Sequence, residues 1–188
     1  MQGKLILVLG GSRSGKSGVA EQLAKQMGEK VVYIASAAAL DEEMLRRVQK
    51  HRAVRPTHWQ TVEETHEIPQ VLRDLGQAAD VFLLDCLTLW ISNLLLDESL
   101  MSSKSDDEKE AYIINKVDDL ARVALSVPAH LIVVSSEVGQ GIVPEYPISR
   151  LYRDIVGLAN QTLGGYADEV FLTVAGIPVE LKSLTAKF

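Results

Sequence analysis

At 188 residues, with 47% hydrophobic and 23% charged positions, the chain has the composition of a globular protein with one sizeable core, and disorder is excluded. Lysines and arginines number 19 against 25 acids, a net charge of −6, which argues against nucleic acid as the main partner because phosphate-tracking surfaces are basic. A single cysteine, Cys86, permits no intramolecular disulfide and no cysteine-built metal site, as suits a reducing cytosol. The opening apolar run is too short for a signal sequence or a membrane span, so a cytoplasmic protein that avoids membranes is expected, folded as one domain over residues 1–188.

In chain order, Leu5–Leu9 reads as a buried strand, and a helix follows from Lys16 to Met27 with Gly28 as its expected C-cap. Val31–Ala35 is a second strand. Ile68, Val71, Leu72 and Leu75 fall at helical spacing, and Val81–Leu84 is a strand ending at Asp85. Residues Asp97–Lys109 resemble a linker, within which Ser105-Asp106-Asp107-Glu108 forms a capping box. The helix it opens turns Ile114, Val117, Ala121 and Ala124 inward. Leu131–Val134 is a fourth strand, and Leu151, Ile155, Leu158 and Ala159 stripe a last long helix. Val170–Val174 and Val179–Leu181 flank Gly176-Ile177-Pro178 as a closing hairpin. Alternating strands and helices predict a doubly wound α/β fold, mainly parallel, with that hairpin antiparallel.

The strongest local signal is Gly10-Gly11-Ser12-Arg13-Ser14-Gly15-Lys16-Ser17, which fits G-x-x-x-x-G-K-[ST] between an apolar strand and a helix. Glycines let backbone N–H groups turn toward phosphates at the positive end of a helix dipole. Lys16 is placed to reach the β- and γ-phosphates, and Ser17 to ligate Mg²⁺. Asp85, at a strand end, is the matching metal-side acid, against the alternative of a turn-capping aspartate. Cys86 beside it reads as core packing. Two GTPase-like strings, Asn115–Asp118 (NKVD) and Asp154–Gly157 (DIVG), stand in the wrong order and inside helical patterns, so they are coincidences.

Beyond the loop, the blocks Tyr33–Glu63, Leu83–Leu95 (LLDCLTLWISNLL), Glu137–Glu145 (EVGQGIVPE) and Arg150–Lys182 carry a resemblance along nearly the whole chain. Their most diagnostic stretch is H-R-x-x-R-P from His51 to Pro56, followed by His58-Trp59. In these blocks the chain resembles the bifunctional adenosylcobinamide kinase and adenosylcobinamide-phosphate guanylyltransferase family of cobalamin biosynthesis. The resemblance implies a P-loop (RecA-like) fold and a homotrimer with corrinoid bound between subunits. It also implies two reactions: phosphorylation of the aminopropanol hydroxyl of adenosylcobinamide by ATP or GTP, then transfer of GMP from GTP through a guanylyl-histidine. By motif position that histidine is His51. Nucleotide contacts fall on Gly10–Ser17 (Gly10, Gly11, Ser12, Arg13, Ser14, Gly15, Lys16, Ser17), on Ala35, Ser36 and Ala37, on Arg52, Ala53, Val54 and Arg55, and on Glu63 and Asp85.

The residues themselves agree. Met44 and Val48 share a helical face with His51, on a helix that Asp41 caps, and Arg46, Arg47, Lys50, Arg52 and Arg55 surround it with positive charge. Such cations would stabilise a transferring phosphoryl group; without the resemblance, His51 reads as a surface histidine of a solvated basic helix. His58 is structural or supports the site, and His66 and His130 are peripheral. Two positions depart from the family pattern or vary within it: Ser136 stands where asparagine is frequent, and Asp85 where the acid alternates with glutamate. The Glu137–Glu145 loop lines the corrinoid end or is a plain turn. The competing readings are a monofunctional P-loop small-molecule kinase with an inert His51, and a nucleotide-driven regulatory module with no small-molecule substrate.

Overall fold

The structure, a computed structural model, describes residues 2–37 and 56–186. Among the described residues seven strands form one sheet in the order β3-β2-β4-β5-β1-β6-β7. They are β1 (Leu5–Gly10), β2 (Val31–Ala35), β3 (Gln60–Glu63), β4 (Val81–Asp85), β5 (His130–Ser136), β6 (Glu169–Val174) and β7 (Ile177–Glu180). All neighbouring pairs are parallel except β6–β7. The α-helices among the described residues are α1 (Lys16–Met27), α2 (Ile68–Leu75), α3 (Leu87–Leu96), the short α4 (Glu98–Met101), α5 (Asp106–Ser126) and α6 (Pro147–Tyr166). The expected doubly wound, mainly parallel sheet with an antiparallel C-terminal pair is therefore observed.

The central strands are apolar on both faces because both are covered. On one face Val19, Ala20 and Ala24 of α1 pack against Ile6, Val8, Leu83, Ile132 and Val134, with Tyr33 and Trp59 at the margin. On the other, α2, α3, α5 and α6 cover Leu5, Leu7, Phe82, Leu84, Leu131 and Val133. Helix α5 starts at the capping box as expected: Ser105 accepts from the Glu108 N–H and Glu108 bonds back to the Ser105 N–H.

Several local expectations are corrected. Gly28 is the C-cap of α1 as expected, but its backbone is extended (φ −179°); an added Cβ would stand 2.3 Å from Cβ of Asp80, so close approach is what requires glycine. The linker-like Asp97–Lys109 contains α4 and the first turn of α5, with Met101 anchored in the core. Helix α5 buries Ile113 and Leu120 with Val117, Ala121 and Ala124, leaving Ile114 half-buried; Leu158 of α6 is 37% exposed. The hairpin turns one residue earlier than expected, at Ala175 and Gly176 (φ 52° and 80°), the backbone that suits a two-residue hairpin. Pro178 lies within β7 opposite Thr173, tolerated because that strand is at the edge of the sheet. The NKVD and DIVG strings lie inside α5 and α6, as their helical setting required.

Candidate active site

Parallel strands end together, so the sheet has one carboxyl edge, where open α/β folds bind ligands. Gly10 pairs with Ser136, Asp85 with Val134, and Ala35 with both Asp85 and Glu63. The phosphate loop, Asp85, Ser36 and Glu137 thus gather at this edge. Strand β5 lies between β1, which feeds the loop, and β4, which ends in Asp85.

The loop is a built turn. Arg13 and Gly15 take positive φ (57° and 95°), and the Ser14 N–H donates to the Gly11 carbonyl at 3.2 Å. Helix α1 opens at Lys16 without a side-chain cap, leaving its first N–H groups for an anion. The Lys16 ammonium folds over the loop onto the Gly11 carbonyl at 3.1 Å. From behind, the Gly176 N–H donates to the Ser14 carbonyl at 2.7 Å, so the hairpin turn braces the loop.

Asp85 is half-buried, and its Oδ2 accepts from the hydroxyl of buried Tyr33 at 3.0 Å. Tyr33 and Asp85 reach each other because their strands pair with Tyr33 opposite Leu83, two residues before Asp85 and on the same face. Ser36, fully buried, donates to the Cys86 carbonyl at 2.7 Å and accepts from the Cys86 N–H at 3.0 Å. Asn93 of α3 closes the corner by donating to the Ser36 carbonyl at 2.7 Å. Burial, then the charge of Asp85, pushes the Cys86 thiol up, so it stays a thiol and shares a 3.0 Å bond with Thr88. Burial, with the neighbouring Cys86, pushes Tyr152 up to about 12, and its hydroxyl donates to the Thr88 carbonyl.

The expected residues Gly10–Ser17, Ala35–Ala37 and Asp85 are brought to one edge, and Glu63 ends the outermost strand there, exposed. His51, Arg52, Ala53, Val54 and Arg55, with the helix expected from Asp41, lie outside the described residues. His58 is exposed beside buried Trp59 and borders a concavity, with Lys30 and Leu75, at the opposite edge of the sheet. His66 lies 3.1 Å from the Asp97 carboxylate, and His130 accepts from the Lys4 N–H. Tyr33, Ser135 and Asn160 were not legible in the sequence as site residues, because each is an unremarked polar position within an apolar pattern.

Among the described residues no cluster of three His, Cys, Asp or Glu would cage a metal. Nearest the loop in the pattern are the Ser17 hydroxyl and the Asp85 carboxylate, hard oxygens and too few to complete a shell. That set fits Mg²⁺, which keeps waters and takes its other ligands from phosphates.

A glycine loop between strand and helix, a lysine folded over it and an acid two strands away define a nucleotide-binding α/β protein of the P-loop class. The family model of cobinamide kinase / cobinamide phosphate guanyltransferase matches residues 6–181, and the chain belongs to this family of transferases. Among its relatives is the bifunctional adenosylcobalamin biosynthesis protein CobP of Pseudomonas aeruginosa, 44% identical over 94% of this chain and 96% of its own. The CobU proteins of the same description from Escherichia coli K12 and Salmonella typhimurium LT2 are 40% and 39% identical, each over 95% of this chain and 99% of its own.

Proposed function

We propose that the chain catalyses two successive steps of cobalamin biosynthesis at one phosphate-binding edge, folded as one domain over residues 1–188. It phosphorylates the aminopropanol hydroxyl of adenosylcobinamide with ATP or GTP, then transfers GMP from GTP to give adenosylcobinamide-GDP. The observation that carries this reading is near full-length similarity to relatives described as bifunctional, with the phosphate loop formed and Asp85 at the same edge of the sheet. It favours both activities over a kinase alone.

In the first step the free N–H groups of the loop and of the first turn of α1 hold the β- and γ-phosphates, and Lys16 leaves the Gly11 carbonyl for them. Ser17 and Asp85 would hold Mg²⁺, which supplies charge neutralisation at the phosphates when bound. In the second, a nitrogen of His51 attacks the α-phosphorus of GTP, the bond to the β-phosphate oxygen breaks and pyrophosphate leaves. An oxygen of the corrinoid phosphate then attacks the same phosphorus and releases the histidine. Arg52 and Arg55 stabilise charge on the leaving pyrophosphate, while Ala35–Ala37, Ala53, Val54 and Glu63 contact the nucleotide. The setting is a homotrimer in the cytoplasm; among the described residues no helix is long and apolar enough to cross a membrane.

Intact-protein mass spectrometry after GTP and Mg²⁺ tests the reading. A mass increase of one GMP is expected in the wild type and none in His51→Asn, which keeps corrinoid phosphorylation within about tenfold because that step uses the corrinoid hydroxyl as nucleophile. A wild type that phosphorylates the corrinoid and never holds GMP would leave the monofunctional kinase.

A further inference from the structure

Glu137 is where β5 leaves the sheet, between the strand that feeds the phosphate loop and the strand that ends in Asp85. Its N–H donates to the Gly10 carbonyl at 3.1 Å, while Lys16 Nζ bonds the next carbonyl, that of Gly11, also at 3.1 Å. The acid and the phosphate-binding ammonium are therefore anchored to consecutive peptides of one loop. The carboxylate is held too. Asn160 of α6, only 8% exposed, donates through Nδ2 to Glu137 Oε1 at 3.3 Å and to the Ser136 carbonyl at 3.3 Å. Its own Oδ1 accepts from the Ser135 hydroxyl at 2.6 Å.

A buried amide must satisfy its polar atoms, and each hydrogen bond recorded for this one goes to the last two residues of β5 or to Glu137. Such a clamp fixes the direction of a side chain. Among the described residues no lysine, arginine or histidine forms an ion pair with Glu137. The acid is half-buried, oriented by a neutral group, and uses one of its two carboxylate oxygens in that contact. A purely structural role here needs an acceptor and no charge.

Resting on the function proposed above, we infer that Glu137 is a catalytic residue of the kinase step, the acceptor of the corrinoid hydroxyl proton. The alcohol O–H donates to the carboxylate. As the alcohol oxygen bonds to the γ-phosphorus, the bond from that phosphorus to the β-phosphate oxygen breaks and the nucleoside diphosphate leaves with the electron pair. The proton passes to Glu137 and then to solvent. Guanylylation of His51 removes no alcohol proton and does not need this acid.

Glu137→Gln keeps the acceptor for Asn160 and loses the base. Three measurements separate the roles: corrinoid phosphorylation, GMP incorporation from GTP, and the rise in melting temperature on adding nucleotide. The expected result is phosphorylation at least about a hundredfold slower, the scale of a lost general base. GMP incorporation and the melting shift should stay within about twofold. A Glu137→Gln protein that phosphorylates the corrinoid at nearly the wild-type rate overturns the inference, as does a parallel fall of all three readouts. A wild type with no corrinoid phosphorylation faults the underlying function, whereas an active wild type with an equally active variant faults Glu137 alone.

Discussion

Three glycines of the phosphate loop and its helix should respond to alanine in three different ways. Gly15 has φ 95°, and a Cβ placed on it would lie 3.0 Å from the Gly176 Cα, a backbone atom of the bracing hairpin turn. The left-handed conformation costs an alanine about 1–2 kcal/mol. Overpacking against a main chain that cannot rotate aside adds at least ~1 kcal/mol. Together these give roughly 2–4 kcal/mol, and at ~2–4 °C per kcal/mol for a chain of this length the melting temperature should fall by about 4–16 °C. Gly11 has no positive φ and nothing within 4 Å of its Cβ position, so Gly11→Ala should melt within about 2 °C of wild type. Gly18 lies inside α1 with open space around it, and Gly18→Ala should gain about 0.5–1 kcal/mol from reduced backbone entropy. The assay is nucleotide-free thermal melting by circular dichroism. If Gly15→Ala melted like Gly11→Ala, the bracing of the loop by the hairpin would be refuted.

Asp85→Asn should leave nucleotide-free melting unchanged while raising by about tenfold or more the Mg²⁺ needed for nucleotide-induced stabilisation; Tyr33→Phe, which loses the 3.0 Å bond that aims the carboxylate and keeps its charge, should shift it less. Equal Mg²⁺ titrations in all three proteins would reduce the pair to a structural bond. At the opposite edge, the Lys30 N–H, joined by that of Glu29, holds the Asp80 carboxyl below its ordinary range. Its stabilising contribution is full above the unfolded value near 3.9 and is lost as pH falls through the lower folded value. Asp80→Asn should therefore flatten the decline in melting temperature between about pH 4 and 2, and an unchanged decline would assign acid sensitivity to other carboxylates such as Glu64 and Glu180.

What was legible in the sequence followed from how strongly each segment's pattern was forced. The apolar runs Leu5–Leu9, Val81–Leu84 and Leu131–Val134 are buried on both faces and found their places in the sheet. The loop Gly10–Ser17 was legible because its chemistry is local. Helix α3 was missed because LTLWISNLLL is apolar all round, with Trp90 and Leu94 fully buried, so it has no polar face to mark a period. Strand β3, QTVE, was missed for the opposite reason, being short, polar and at the edge of the sheet. Gly28 was legible as a C-cap but its reason was not, since glycine after a helix has two explanations, positive φ or close approach, and only the position of Asp80 decides between them. Tyr33, Ser135 and Asn160 act through partners 52 and 25 residues distant, which no local spacing reveals.

The same long-range dependence explains why the phosphate site needs nearly the whole chain. Residues 10–17 supply the loop, but Gly176 holds its back and Thr173 O would meet any side chain at Gly10 at 2.6 Å. Glu137, at the end of β5, ties its N–H to Gly10, and β5 is inserted between β1 and β4 only after α5 has crossed the sheet. Asn160 orients that acid from α6, later still. A cradle built from the loop, β5, α6 and the β6–β7 turn can form only when the sheet is complete. Family similarity running from residue 6 to residue 181, one residue past the end of β7, is what that construction demands. A nucleotide bound at the loop should accordingly stabilise the closing hairpin as well as the first strand, since the Ser14–Gly176 bond joins them directly.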